Sequence, residues 1–244
     1  MRPDADCAAL PAPCLRRHEE GQDLREAHAA LLLDRQRQFA ADASHELRTP
    51  LTAIRVRVEA ARLHPGDLDL PDLLDHVTDD LDRLEDIVDD LLLLTTIEAG
   101  LDGRLAEVDL TALVEAAAAQ DVRLDLEPAV TVAAVPRLVA RLLANLLDNA
   151  RRHAAHRSQV SLRRADGRAE LAVTDDGPGV PAADRERIFE RFARLDTARS
   201  RTSGGAGLGL AIARDIACAH HGTLHVEAAG DGGARFVLRL PLLR

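Results

Sequence analysis

Apolar residues recur along the first hundred positions with a helical period. At about 100° per residue, Phe39, Ala43, Leu47, Leu51, Ile54 and Val58 fall on one stripe of a helical wheel. Residues 22–63 therefore read as one long helix, interrupted at most near Pro50. HPGD at 64–67 is a turn signal, and Pro71 suits the first turn of a second helix. In that helix Leu74, Val77, Leu81, Leu84, Val88 and Leu91 repeat with 3-4 spacing, and Leu73, Ile87 and Leu94 add a second stripe. Two antiparallel helices cannot bury that much apolar surface alone. A dimer forming a four-helix bundle can; packing against the rest of the chain is the alternative.

The pattern changes after EAGLDGRLAEVD, a stretch with two glycines that reads as a linker. DLTALVEAAAAQ is helical in period, whereas VRLDLE and AVTVAAV read as short strands. PRLVARLLANLLDNARRHA is an apolar helix opened by Pro136. QVSLRR and RAELAVTD are strands joined at Asp166-Gly167, and TLHVEAAG and ARFVLRLPL form a second hairpin around GDGG. Between the hairpins lie glycine-rich loops and the helix LGLAIARDIACAHH. The organisation expected is a loose, Pro-rich N-terminus (1–21), a helical segment with a helical hairpin (22–98), a linker (99–108) and an α+β domain (109–244).

Composition narrows the function. The net charge of −10 argues against a nucleic-acid binder, and with no Trp or Tyr and four Phe there is no platform for stacking bases. The basic residues are all Arg. Cys7, Cys14 and Cys218 lack metal-ligand spacing and fit reduced thiols in a cytoplasmic chain. No stretch approaches the run of about 18 apolar residues that a membrane span needs.

Five short motifs carry the chemistry. SHELRTPLT at 44–52 places His45 about 170° from the middle of the apolar stripe, so it faces solvent, with Asp42 and Thr49 flanking it. Pro50 removes the N–H that would have bonded the Glu46 carbonyl, which predicts a bend one turn after the histidine. NLLDNARRH stacks Asn145 and Asn149 on one helix face; a metal ion with phosphate oxygens, or a structural hydrogen-bond network, would satisfy their amides. DDGPGV ends a strand with a carboxylate and a Gly-x-Gly backbone open to close approach, though a plain turn fits as well. RIFERFARLD spaces Phe189 and Phe192 to tuck two rings into a core. SGGAGLGLAIARDI is a glycine-dense loop opening a helix, an arrangement that converges N–H groups on an anion. No parallel βαβ unit surrounds it, which argues against a dinucleotide fold, and without Lys it is no P-loop.

In this order the motifs resemble the H, N, G1, F and G2 boxes of bacterial two-component sensor histidine kinases, over roughly residues 35–242. The resemblance implies a helical hairpin that dimerises and accepts phosphate, followed by a two-layer α/β sandwich of the Bergerat type shared with gyrase, Hsp90 and MutL. It implies ATP and Mg²⁺ as cofactors. By motif position His45 would be the phosphorylated residue, Glu46 the acid beside it and Thr49 the residue that positions water for phosphatase activity. Asn149 would hold Mg²⁺, with Asn145 in the phosphate region and Arg152 and His153 facing the nucleotide. Asp175 would accept from the adenine amino group in a pocket shaped by Gly177 and Gly179, and Gly205, Gly207 and Gly209 would cover the phosphates. The partners implied are a second copy through residues 22–98, a response-regulator receiver domain and an upstream sensor. Val135 stands where the family often has Asp, which reads as a lost helix cap. A mechanical ATPase of the same superfamily and a non-catalytic dimeric scaffold are the rival readings. The intact H box argues against the first, and the intact nucleotide motifs against the second.

Overall fold

The computed structural model describes residues 12–65, 69–98, 100, 105–193, 195, 207–230 and 232–243, with side chains from residue 37 onward except Glu98. The chain divides into two compact units, Met1–Arg48 and Thr49–Arg244, with the boundary inside the first helix. That helix, α1 (Ala12–Leu63), begins earlier than the apolar period indicates. It runs unbroken through Pro50, which lies inside it. Helix α2 (Leu70–Glu98) follows, and the Asp69 side chain accepts from the Asp72 N–H at its start. Within the second unit Arg57 of α1 is paired with Asp80 of α2.

The two stripes of α2 have different fates. Ile87 and Leu94, of the second stripe, are 2% and 1% exposed. They are buried within this single chain, where α2 packs on helix α5 (Gly209–Ala219). The first stripe stays open at Leu74, Leu81 and Val88, which are 54%, 48% and 44% exposed. Val77, Leu84 and Leu91 of the first stripe, and Leu73 of the second, are half-buried.

Residues 106–109, taken from sequence as the end of the linker and the start of a helix, form strand β1 (Ala106–Asp109), which pairs antiparallel with β3 (Thr131–Ala134). Asp109 ends β1 and caps helix α3 (Leu110–Ala117), its Oδ1 accepting from the N–H groups of Thr111 and Ala112 at 2.8 and 3.2 Å.

The main sheet has the order β2-β4-β5-β7-β6, built from β2 (Val122–Leu126), β4 (Ser158–Ala165), β5 (Arg168–Asp175), β6 (Thr223–Ala228) and β7 (Ala234–Pro241). β2 runs parallel to β4 and the other neighbours are antiparallel. The β4–β5 turn has positive φ at Asp166 and Gly167, the twist a two-residue hairpin needs. Register sets the core. Val160, Val173, Phe236 and Val226 form one cross-strand row, and Leu162, Leu171, Leu238 and Leu224 another. All eight are buried. The opposite face carries Glu170 bound by Arg235 and Arg239, beside Ala172 and Val237, which are buried there.

Helix α4 (Pro136–His153) buries Leu138, Val139, Leu142, Leu143, Leu146 and Ala150, packing on α5 and β5. Val135 at its N-cap offers no side-chain bond, as expected. Its backbone N–H, however, donates to Nε2 of His220 at 3.0 Å, and His220 Nδ1 lies 2.8 Å from the Ile216 carbonyl. Accepting through Nε2 while donating through Nδ1 requires the neutral ring. His220 is 4% exposed, and burial pulls its pKa below the ordinary histidine value. The sequence placed His220 at a helix end, where it is; its role is to join the end of α5 to the start of α4.

Candidate functional site

The site is assembled where β5, the end of α4 and the β6–β7 turn meet. Asp175 closes β5 and is 3% exposed. Its Oδ1 accepts from the N–H groups of Gly177 (3.0 Å) and Ala234 (3.2 Å). Its Oδ2 is buried and has no hydrogen-bond partner among the described residues. An unmet buried carboxylate oxygen costs about 1–3 kcal/mol, so the arrangement is incomplete without an external donor.

Close backbone approach explains the glycines around it. A Cβ on Gly177 would collide with the carbonyl oxygen of His153, and one on Gly233 (φ +81) with that of Asp175. Gly179 also abuts Gly233, a Cβ there standing 2.7 Å from the Gly233 carbonyl oxygen. Three segments distant in sequence are thus locked around one carboxylate. Gly233 was read only as part of a hairpin turn and Ala234 as the start of the strand after it. The Gly232-Gly233 doublet before an alternating strand was the one signal, and it does not by itself say which strand end it would face.

On α4, Asn145 Nδ2 donates to the Gly209 carbonyl at 2.9 Å, tying α4 to the first residue of α5. The structural network weighed for the paired Asn is therefore real for Asn145, whose oxygen remains an acceptor. Asn149 is half-buried one turn later, and Arg152 and His153 are exposed at the helix end. Gly207 (φ +74) accepts from the Phe192 N–H at 2.9 Å, and Gly209 opens α5. Gly205 lies outside the described residues. Phe189 is buried edge-on against Phe236 at 6.3 Å, with the Arg214 guanidinium 5.0 Å from its centroid. Phe192 is half-buried, so one ring rather than two enters the core.

The H-box residues belong to α1. His45 is exposed, Glu46 half-buried and Thr49 exposed. His45 and Glu46 fall in the first compact unit; Thr49 and the nucleotide motifs fall in the second. Ala43 is buried while Leu51, on the same stripe, is 59% exposed. No helix among the described residues is long and apolar enough to cross a membrane.

Comparison with known proteins agrees with this architecture. Residues 35–100 match the His Kinase A (phospho-acceptor) domain, and residues 134–244 match the histidine kinase-, DNA gyrase B- and HSP90-like ATPase family. The chain is 41% identical over 223 residues to a probable sensor histidine kinase, TcrY, of Mycobacterium tuberculosis, covering 84% of this chain and 46% of that protein. It is 39% identical over 225 residues to the sensor histidine kinase MtrB of Mycolicibacterium paratuberculosis, covering 86% and 40%. A solved structure, full-length ShkA in complex with AMPPNP, matches with a TM-score of 0.59 and 28% identity, over 84% of this chain and 46% of that one. The chain thus spans about half the length of the curated relatives it matches. Its second matched domain is of an ATP-binding family, which supports use of ATP. With a phosphoacceptor helical hairpin followed by an ATPase-type sandwich, the chain belongs to the two-component sensor histidine kinase family and carries its catalytic core.

Proposed function

We propose that this chain is an ATP- and Mg²⁺-dependent protein histidine kinase that phosphorylates itself on His45 and passes the phosphoryl group to an aspartate of a response regulator. The observation that carries the nucleotide half is the buried, unpartnered Oδ2 of Asp175. The exocyclic amino group of adenine is a donor of the kind it lacks, and Oδ1 is already held by Gly177 and Ala234, so the carboxylate is fixed in aim. The relative ShkA was solved with an ATP analogue, which favours the same ligand here.

The remaining assignments follow the motifs. Asn149, with the oxygen of Asn145 nearby on the same face, would hold Mg²⁺; such an ion neutralises phosphate charge. Arg152 and His153 sit at the helix end toward the phosphates. Gly207 and Gly209 bring backbone and the positive end of α5 to them. A neutral ring nitrogen of His45 attacks the γ-phosphorus: a P–N bond forms, the bond to the ADP oxygen breaks, and Glu46 takes the proton from the other ring nitrogen. The His45 side chain is exposed, as a nucleophile served by a separate domain must be. Thr49 would position water for the reverse duty, dephosphorylating the regulator. The hairpin of residues 22–98 would dimerise, residues 109–244 would bind the nucleotide, and an upstream sensor would supply the signal on the cytoplasmic side, where ATP is.

Binding of a fluorescent ATP analogue to the full chain tests the nucleotide half. Asp175→Asn keeps the acceptor facing Gly177 and Ala234 but turns a donor toward the adenine amino group. Affinity should fall about 100-fold with little change in thermal midpoint. Unchanged affinity in that variant would remove Asp175 from the site.

A further inference from the structure

Helix α4 ends at His153, and β4 begins at Ser158. Residues 154–157 carry the chain between them, beside the strand end that bears Asp175. One carboxylate oxygen gathers this crossing. Asp176 Oδ1 accepts from the N–H groups of Ala155 (2.9 Å), His156 (2.9 Å) and Arg157 (3.0 Å), and the Asp176 N–H donates back to the Arg157 carbonyl at 3.2 Å. One residue further, Gly177 presses directly on the His153 carbonyl. The segment that follows α4 is thus hydrogen-bonded to the loop after β5, and that loop runs against the last residue of α4.

We propose that Asp176 is a positioning residue for nucleotide binding: it fixes the end of α4, and with it Arg152 and His153, at a set distance from Asp175. This rests on the reading of Asp175 as the adenine acceptor. Asp176 need not touch the ligand. Asp175 belongs to the sheet, whereas Arg152 and His153 belong to the end of a helix; if the two elements drift, binding must pay to reorder them. The three amide donors, that of Arg157 foremost, hold the Asp176 carboxyl down to about 2, so it is ionised throughout the range in which such a protein works.

The test uses the full chain, trinitrophenyl-ATP with Mg²⁺, and three variants. Asp176→Ala should weaken binding about tenfold. Asp176→Asn keeps an acceptor in place and should return affinity to within about threefold of the parent. Asp176→Glu keeps the charge but displaces it by a methylene, and should bind as weakly as the alanine variant. In autophosphorylation the loss should appear in KM for ATP, with the rate at saturating ATP unchanged. A purely structural role would lower the thermal midpoint and leave the affinity of the folded protein alone. Parent-like binding by the alanine variant overturns the proposal. So does parent-like binding by the glutamate variant, which decides the matter should the alanine variant not fold. Failure of the parent to bind the probe overturns the nucleotide-site reading itself, and the inference falls with it.

Discussion

Single atoms at the strand end carry the functional argument. Asp175 has one oxygen satisfied and one not, and Gly177 exists because His153 lies where a side chain would go. Gly177→Ala should shift the loop and lower stability by about 1–3 kcal/mol, read as a fall in thermal midpoint together with weakened nucleotide binding. An alanine variant as stable as the parent would mean the contact relaxes freely. His220 gives a pH signature. Its folded pKa lies below the unfolded value, so the stability tied to its neutral ring is complete above about 6.5 and is lost as pH falls below that. The thermal midpoint of the parent should therefore drop between about pH 7 and pH 5 more steeply than that of His220→Gln, compared by calorimetry. Parallel profiles would remove His220 from the account. The sequence displayed Asp175 and Gly177 through their motif. It could not display Ala234 or the bond from Val135 to His220, because these partners lie 59 and 85 residues apart and meet only through the sheet and the helix layer.

Among the elements, α4 works hardest. It holds α5 through Asn145 and Gly209, the loop after β5 through Gly177, and α2 through Arg141, whose Nη2 lies 2.6 Å from Asp90 Oδ1. Burial pushes the Asp90 carboxyl above the usual range even though Arg141 pulls it down, so the carboxylate depends on its partner. Arg141→Ala should cost about 1–3 kcal/mol, less than for a wholly buried pair because Arg141 is partly exposed, and should speed amide exchange across residues 87–94 of α2. Unchanged exchange there would show that Ile87 and Leu94 hold α2 without the ion pair. Most elements were legible because each has its own period: 3.6 for α4 and α5, alternation for the two hairpins. β1 was not, since four residues of AEVD give too short an alternation to separate from a linker. Nor was the unbroken course of α1, because a proline removes one hydrogen bond while the surrounding helix keeps the rest.

For the whole molecule, the exposed positions of the first α2 stripe bear on the proposed dimer. Leu74, Leu81 and Val88 remain uncovered in the single chain, although their seam has the spacing of a coiled-coil face. If a second copy covers them, Leu81→Glu with Val88→Glu should give a monomer in sedimentation that still binds the ATP analogue. A dimer of unchanged strength would place the interface elsewhere. Phosphoryl transfer to His45 is tested by incubating the full chain with Mg²⁺ and γ-labelled ATP, beside His45→Gln. Acid-labile, alkali-stable label on the parent and none on the variant is the predicted result; label that persists on the variant would contradict it.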